Sequence, residues 1–283
     1  MRSASKRNRV FTVLAIGFLL ISILAASLVI AHLYARNNNL SLATPELIEI
    51  ILERPKRGEL VFVIDDAGNN LFELEPFLLF PGPLTIAVLP GLPDSIEAAQ
   101  RIRDAGKEVF LHQPMESLGG HNPGPGAIFI GMDEMEIRNI INQNLDEIWP
   151  VAGINNHEGS RVSMDEDIMT IVLDICRERE IVYLDSRTTA ETRAPAAAFN
   201  LGMSIGERDV FLDNEQDRDS IIHYINRGLH IAEEKGNAIM IGHVYTPILA
   251  ALLEELYSSW MDQNFVLSTV SVLIGDGDDS LRH

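Results

Sequence analysis

Residues 60–116 read LVFVIDDAGNNLFELEPFLLFPGPLTIAVLPGLPDSIEAAQRIRDAGKEVFLHQPME. This stretch decides the fold, because its hydrophobic period switches back and forth. LVFVI (60–64), LTIAVL (84–89) and EVFLH (108–112) are short, almost unbroken apolar runs, as strands buried on both faces require. Between them, LFELEPFLLF and SIEAAQRIRDAG (95–106) show helical spacing, the second ending on a glycine. Strand, helix, strand, helix, strand implies crossover connections and parallel pairing.

The alternation continues toward the carboxyl end. VAGIN (151–155), IVYLD (181–185), DVFLD (209–213) and AIMIGH (238–243) read as further strands. MDEMEIRNIINQNLDEIW, MDEDIMTIVLDICRERE, the weaker ETRAPAAAFNLG, DRDSIIHYINRGLHIAEEKG and TPILAALLEELYSSWMDQ read as helices, and the apolar VLSTVSVLI (266–274) follows. Seven or eight such units in roughly 220 residues fit a closed or distorted (β/α) barrel. An open doubly wound sheet is the competing topology. Its nucleotide-binding form is disfavoured, because IDDAGNN rather than a Gly-x-Gly-x-x-Gly turn follows the first strand.

Working outward, the 283-residue chain carries a net charge of −19, unevenly spread. The first 36 residues hold no acid but hold Arg2, Lys6, Arg7, Arg9 and Arg36. Taking those five from the 22 basic residues, against 41 acids, leaves the remainder at −24. Such a domain is a poor nucleic-acid binder and a poor host for polyanionic substrates. The lone Cys176 excludes an intrachain disulfide and a cysteine zinc site, and its apolar neighbours make it core.

Val10–Ala35 contains no charged residue, and a spanning helix needs about 20 apolar residues. The basic cluster before it predicts an uncleaved signal anchor with its tip in the cytoplasm, and a membrane-anchored domain in the periplasm or at the cell surface. A cleaved signal peptide, with its site near Ala25-Ala26, is the alternative. The expected organisation is therefore a tip and anchor over 1–35, and a tether with a short helix over 36–57. A barrel over 58–274 and an acidic tail over 275–283 complete it. The tail's GDGDDS lacks the distal Glu of a calcium loop. Trp149 and Trp260 stand at helix ends, where packing explains them.

Chemistry in parallel βα folds gathers at the carboxyl ends of strands. There stand Asp65-Asp66, His112 followed by Glu116, Asn155-Asn156-His157-Glu158, Asp185-Ser186-Arg187, Asp213 and His243. Imidazoles beside carboxylates suit zinc or another divalent metal. One Asp and two His would leave coordination positions open. Neighbouring residues on a strand face opposite ways, so Asp65 and Asp66 can share a site only if the backbone turns there. One would then ligate while the other acts as base. His243 is the candidate general acid, with Asp185 or Arg187 to orient it or hold developing charge. The plainer reading is that the aspartates cap the next helix and the histidines fill the barrel mouth.

IDD (64–66), LHQPME (111–116), NNHEGS (155–160), LDSRT (184–188), RDVFLD (208–213) and IGH (241–243) together resemble the divergent polysaccharide deacetylases. That family is a distant branch of the metal-dependent carbohydrate esterase family 4 deacetylases. The resemblance spans roughly residues 58–274 and implies an irregular seven-stranded (β/α) barrel, preceded here by the transmembrane helix. It implies Asp65 as catalytic base, Asp66 and His112 as metal ligands, and His243 as general acid. Asp185 matches the orienting aspartate loosely, and no Arg-x-Pro-Tyr motif is evident, so Arg187 stands in for it. The family's second metal histidine is replaced by Glu116, leaving His157 as the expected third ligand and Glu116 as the alternative. The implied activity is metal-assisted removal of acetyl groups from an envelope or extracellular glycan. A non-catalytic carbohydrate-binding or scaffold protein that keeps the fold is the alternative prompted by Glu116.

Overall fold

The computed structural model describes residues 55–279. The expected anchor and most of the tether lie outside these residues. Among the described residues no helix is long and apolar enough to cross a membrane.

Strands and helices alternate through the domain. The order is β1 (Gly58–Ala67), α1 (Leu71–Leu78), β2 (Thr85–Val88), α2 (Ser95–Asp104), β3 (Glu108–Met115) and α3 (Glu134–Ile148). Then come β4 (Gly153–Glu158), α4 (Glu166–Glu178), β5 (Val182–Asp185), α5 (Ala194–Leu201), β6 (Gly206–Glu207) and β7 (Val210–Phe211). The domain ends with α6 (Arg218–Lys235), β8 (Asn237–His243), α7 (Pro247–Asp262), β9 (Phe265–Ser268) and α8 (Val270–Asp279). Local signals mark the helix starts, as in the capping box of Asp133 with Glu136 and the Asp165 and Asp217 side-chain caps.

All strand pairs are parallel, in the order β6-β5-β4-β3-β2-β1-β8-β7, with β9 against the start of β1. The two ends of this path, β6 and β7, are consecutive in the chain. Arg208 N–H donates to Asp185 O on the β5 side at 3.0 Å, and Asp209 N–H donates to Ile239 O of β8 at 2.8 Å. One dipeptide thus bridges opposite ends of the sheet, so the sheet must curl round on itself. The result is an incomplete parallel (β/α) barrel.

The architecture therefore follows the expected class but not the expected count. Among the described residues nine strands replace seven, because the sixth expected strand shrinks to Val210–Phe211 with Gly206–Glu207 before it, and VLSTVSVLI divides. Its first part is β9. From Val270 the chain turns helical, and Val270, Leu273 and Ile274, at helical spacing, face the barrel interior. That helix continues through residues 275–279, the start of the Asp-rich stretch expected as a tail.

Strand pleating separates two cores. Leu60, Phe62 and Ile64 of β1 pack outward beneath the helices, while Val61 and Val63 point into the barrel with Ala87, Phe110, Leu184, Ile239, Ile241 and Val270. Helix α8 closes the amino-terminal end. Its Val270 N–H donates to Thr85 Oγ1 at 3.1 Å, and Ser271 N–H donates to Glu108 Oε1 at 3.3 Å. Cys176 and Trp260 are both buried, the latter stacked on Phe62.

Candidate metal centre

Inward parity carries the functional residues to the open carboxyl end. Asp65 follows Val61 and Val63 on one face of β1, His112 follows Phe110 on β3, and His243 follows Ile239 and Ile241 on β8. Asp65 and His243 are register partners on neighbouring strands. Asp66 would face outward were the strand extended. Its φ of 66° is left-handed instead, and this turn swings its carboxylate to the same side. Neither aspartate caps the next helix, because Asn70 does so through Glu73 N–H at 3.0 Å.

Three ligand atoms converge there. Asp66 Oδ1 lies 3.3 Å from His112 Nε2 and 3.0 Å from His157 Nδ1, and the two imidazole nitrogens lie 3.1 Å apart. Asp66 Oδ1 is buried and makes no hydrogen bond. A tetrahedral ion with bonds of about 2.0–2.2 Å holds its ligand atoms roughly 3.3–3.6 Å apart, slightly wider than these separations. A buried, unpartnered carboxylate oxygen facing two imidazole nitrogens is the donor set of a zinc-type divalent ion, and the residues fit one.

The surroundings of the triad are ordered around it. Asn155, on β4, accepts from His112 Nδ1 at 2.9 Å and donates to Asp65 Oδ1 at 2.8 Å. The first bond leaves Nε2 of His112 to face the centre, and the second fixes the aspartate. Asp65 Oδ2 stands 3.6 Å from His112 Nε2. Burial pushes the Asp65 carboxyl above its ordinary pKa, more strongly than the His112 and His243 cations pull it down. Burial also opposes ionisation of Asp66, but His112 and His157 outweigh it and hold that carboxyl well below the usual range. Burial would lower His112, yet Asp65 and Asp66 raise it to about 9.

Glu116 belongs elsewhere. Its Oε2 accepts from Ile130 N–H at 2.9 Å and its Oε1 lies 3.1 Å from Arg161 Nη1. The carboxylate ties two rim loops together, while His157 from the adjacent strand occupies the third corner of the triad.

The partner of His243 is Asp213, which sequence reading placed at a strand end without a role. Asp213 Oδ1 lies 3.0 Å from His243 Nδ1, and Oδ2 accepts from His243 N–H at 2.9 Å and from the Thr246 hydroxyl at 2.7 Å. Burial would depress His243, but Asp213 more than compensates, so its pKa is raised. Asp185 does not reach it. Leu184 fills the inward position of β5, so Asp185 turns outward, accepting from Arg187 N–H at 2.8 Å and the Thr192 hydroxyl at 2.8 Å. Burial raises its pKa. Arg187, also left-handed with φ 48°, pairs with Glu207 rather than with the histidine. The half-buried cation whose charge acts on Asp185 and Asp65 is Arg208, whose guanidinium donates to Ser186 O at 2.6 Å and Arg187 O at 2.8 Å. No sequence signal separated Arg208 from Arg187, two positions with equal claim at the rim.

Fold and centre define a class: a parallel (β/α) barrel with an Asp-His-His set that could hold a metal ion and a separate Asp–His pair at its carboxyl rim. Residues 62–274 match the model of the divergent polysaccharide deacetylases, and the chain belongs to that family. It is 31% identical over 201 residues to the uncharacterized protein YibQ of Escherichia coli, covering 71% of this chain and 63% of that protein. It is 27% identical over 196 residues to an uncharacterized protein of Haemophilus influenzae, covering 69% of this chain and 70% of that one. Among solved structures, an uncharacterized Agrobacterium tumefaciens protein shares the fold, with a TM-score of 0.70 at 21% identity over 78% of this chain and 92% of that one. The catalytic domain of a peptidoglycan N-acetylglucosamine deacetylase from Eubacterium rectale shares it more distantly, with a TM-score of 0.52 at 12% identity over 77% of this chain and 90% of that one.

Proposed function

We propose that this protein is a metal-dependent carbohydrate deacetylase that hydrolyses acetyl groups on an envelope or extracellular glycan, with Val10–Ala35 anchoring it to the membrane and the barrel on the extracytoplasmic side. One observation carries the reading. A metal-ligating triad and an Asp-backed imidazole flank the same buried carboxylate, Asp65. Family membership supports the glycan substrate, and the acid surplus beyond residue 36 favours a neutral one.

Asp66, His112 and His157 would hold the ion, and their imidazole-rich set suits zinc. Such an ion supplies a Lewis acid for the acetyl carbonyl and acidifies water. Asp65, its basicity raised by burial and its orientation set by Asn155, takes the proton of the attacking water. His243 is held by Asp213 at Nδ1, which leaves Nε2 to deliver a proton to the departing amine or hydroxyl.

The test is acetate release by the full-length chain from a panel of acetylated sugars and generic esters, with chelator and zinc re-addition. Release from sugars, dependent on zinc and reduced about 10²–10⁴-fold in Asp65→Asn, is the expected result. Release undiminished by chelator or by that substitution refutes the reading.

A further inference from the structure

Beyond the triad and the acid pair, one rim residue has no role in the mechanism above. Tyr245 follows β8 on a turn whose other members are fixed: Val244 and Thr246 are buried, and Tyr245 alone is 44% exposed. The turn is tied to the catalytic strands. Val244 N–H donates to Asp65 O at 3.1 Å, Thr246 N–H donates to His243 O at 3.1 Å, and the Thr246 hydroxyl bonds Asp213. The Tyr245 ring lies parallel to the His243 imidazole, 4.9 Å between centroids and 16° between planes. On another side of that imidazole lies Phe211, at 5.1 Å. Burial, and then the charges of Asp66, Asp213 and Asp65, push the phenol's pKa up, and among the described residues its hydroxyl has no hydrogen-bond partner.

A half-exposed aromatic ring already stacked on a neighbour, with a free hydroxyl, costs little entropy to use in binding. Its placement beside the acid specifies what it meets. The group that breaks from the acetyl carbon and takes the proton of His243 Nε2 is the sugar that carried the acetyl, so that sugar lies beside Tyr245. We propose that Tyr245 is the positioning residue for the leaving sugar: its ring seats the apolar face of the pyranose and its hydroxyl bonds a sugar hydroxyl. The assignment rests on the deacetylase reading for the identity of the leaving group, but the platform itself is a binding surface and is testable without turnover.

The experiment titrates zinc-loaded full-length protein calorimetrically with N-acetylated chito-oligosaccharides and O-acetylated xylo-oligosaccharides, comparing wild type, Tyr245→Phe and Tyr245→Ala. Acetate release from the same sugars and from a small aliphatic acetyl ester is followed in parallel. Wild type binds at least one oligosaccharide, Tyr245→Ala weakens it roughly tenfold, and Tyr245→Phe keeps most of the affinity. KM for the sugar rises in Tyr245→Ala, and kcat/KM falls several-fold further for the sugar than for the aliphatic ester. Absence of oligosaccharide binding by wild type, unchanged affinity in Tyr245→Ala, or equal loss on sugar and ester overturns the proposal. Sugar binding lost in Tyr245→Ala without any acetate release by wild type refutes the deacetylase reading and leaves the platform standing.

Discussion

Along β1 the inward side chains run Val61, Val63, Asp65; along β3, Phe110 then His112; along β8, Ile239, Ile241, His243. The same strands are thus apolar at one end of the barrel and ionisable at the other. The amino-terminal end is packed tightly and stoppered by α8. Gly153 is glycine because any Cβ there would stand 2.4 Å from the Phe110 ring. At the carboxyl-terminal end the backbone is left-handed at three non-glycine residues, Asp66, Glu158 and Arg187. Such conformations cost about 1–3 kcal/mol each and persist where the surroundings impose them. The floor supplies stability, and the rim spends some of it on placing charges that burial opposes. Substitutions at the two ends should therefore fail in different ways.

The largest effect is expected at the triad. His112→Ala or His157→Ala removes one of three ligands, so bound zinc falls from one per chain to near zero and acetate release falls by about 10³-fold or more. Metal analysis after gel filtration checks this against a thermal melt. The ion must also displace the proton that Asp65 and Asp66 hold on His112 up to about pH 9. Zinc affinity should therefore tighten as pH rises toward 9, and proton release on binding should be measurable below it. Full zinc content in both variants would remove the centre from this end of the barrel.

At the floor, Phe110→Ala leaves a cavity under Gly153 and should cost about 3–5 kcal/mol of stability, read by denaturant titration. Zinc content and acetate release per folded molecule should be unchanged. A comparable fall in activity would show that floor and rim are not separable.

A smaller effect discriminates between two aspartates on the rim itself. Asp213→Asn keeps the shape but weakens the hold on His243, lowering its raised pKa, and should cut kcat about 10²-fold with the alkaline limb of the pH profile moved to lower pH. Asp185→Asn, outside the barrel interior, should change kcat only severalfold and act mainly on stability. Reversed results would return the orienting role to Asp185.

That pair also marks how far the sequence could be read. The strands were legible because each is a short apolar run between helical patterns. Asp65, Asp66, His112, His157 and His243 were legible as polar residues ending such runs. IVYLD and DVFLD look alike, however, and both end in Asp. What separates them is pleat phase: Leu184 points in and sends Asp185 out, whereas Phe211 lies against His243 and brings Asp213 in. In a strand buried on both faces either phase is apolar, so phase leaves no trace in composition. The adjacency of β7 and β8 was equally hidden, since parallel neighbours are set by the crossover and not by local pattern. VLSTVSVLI was ambiguous for a related reason: a short apolar run satisfies strand and helix alike.

The smallest effect is expected at Glu116, where the chain holds an acid in place of the family's second histidine. If Glu116 were part of the centre, neutralising it would remove the ion. Its carboxylate instead accepts from Ile130 N–H and pairs with a half-exposed Arg161, which joins the loop after β3 to the loop after β4. An exposed ion pair contributes about 0–1 kcal/mol, and glutamine retains an oxygen for the amide of Ile130. Glu116→Gln should therefore keep one zinc per chain and acetate release within about threefold of wild type, with a melting temperature lowered by a few degrees at most. Loss of zinc in this variant, with His157→Ala still loaded, would exchange the two residues in the centre and place the departure from the family pattern among the ligands rather than in the loops that frame them.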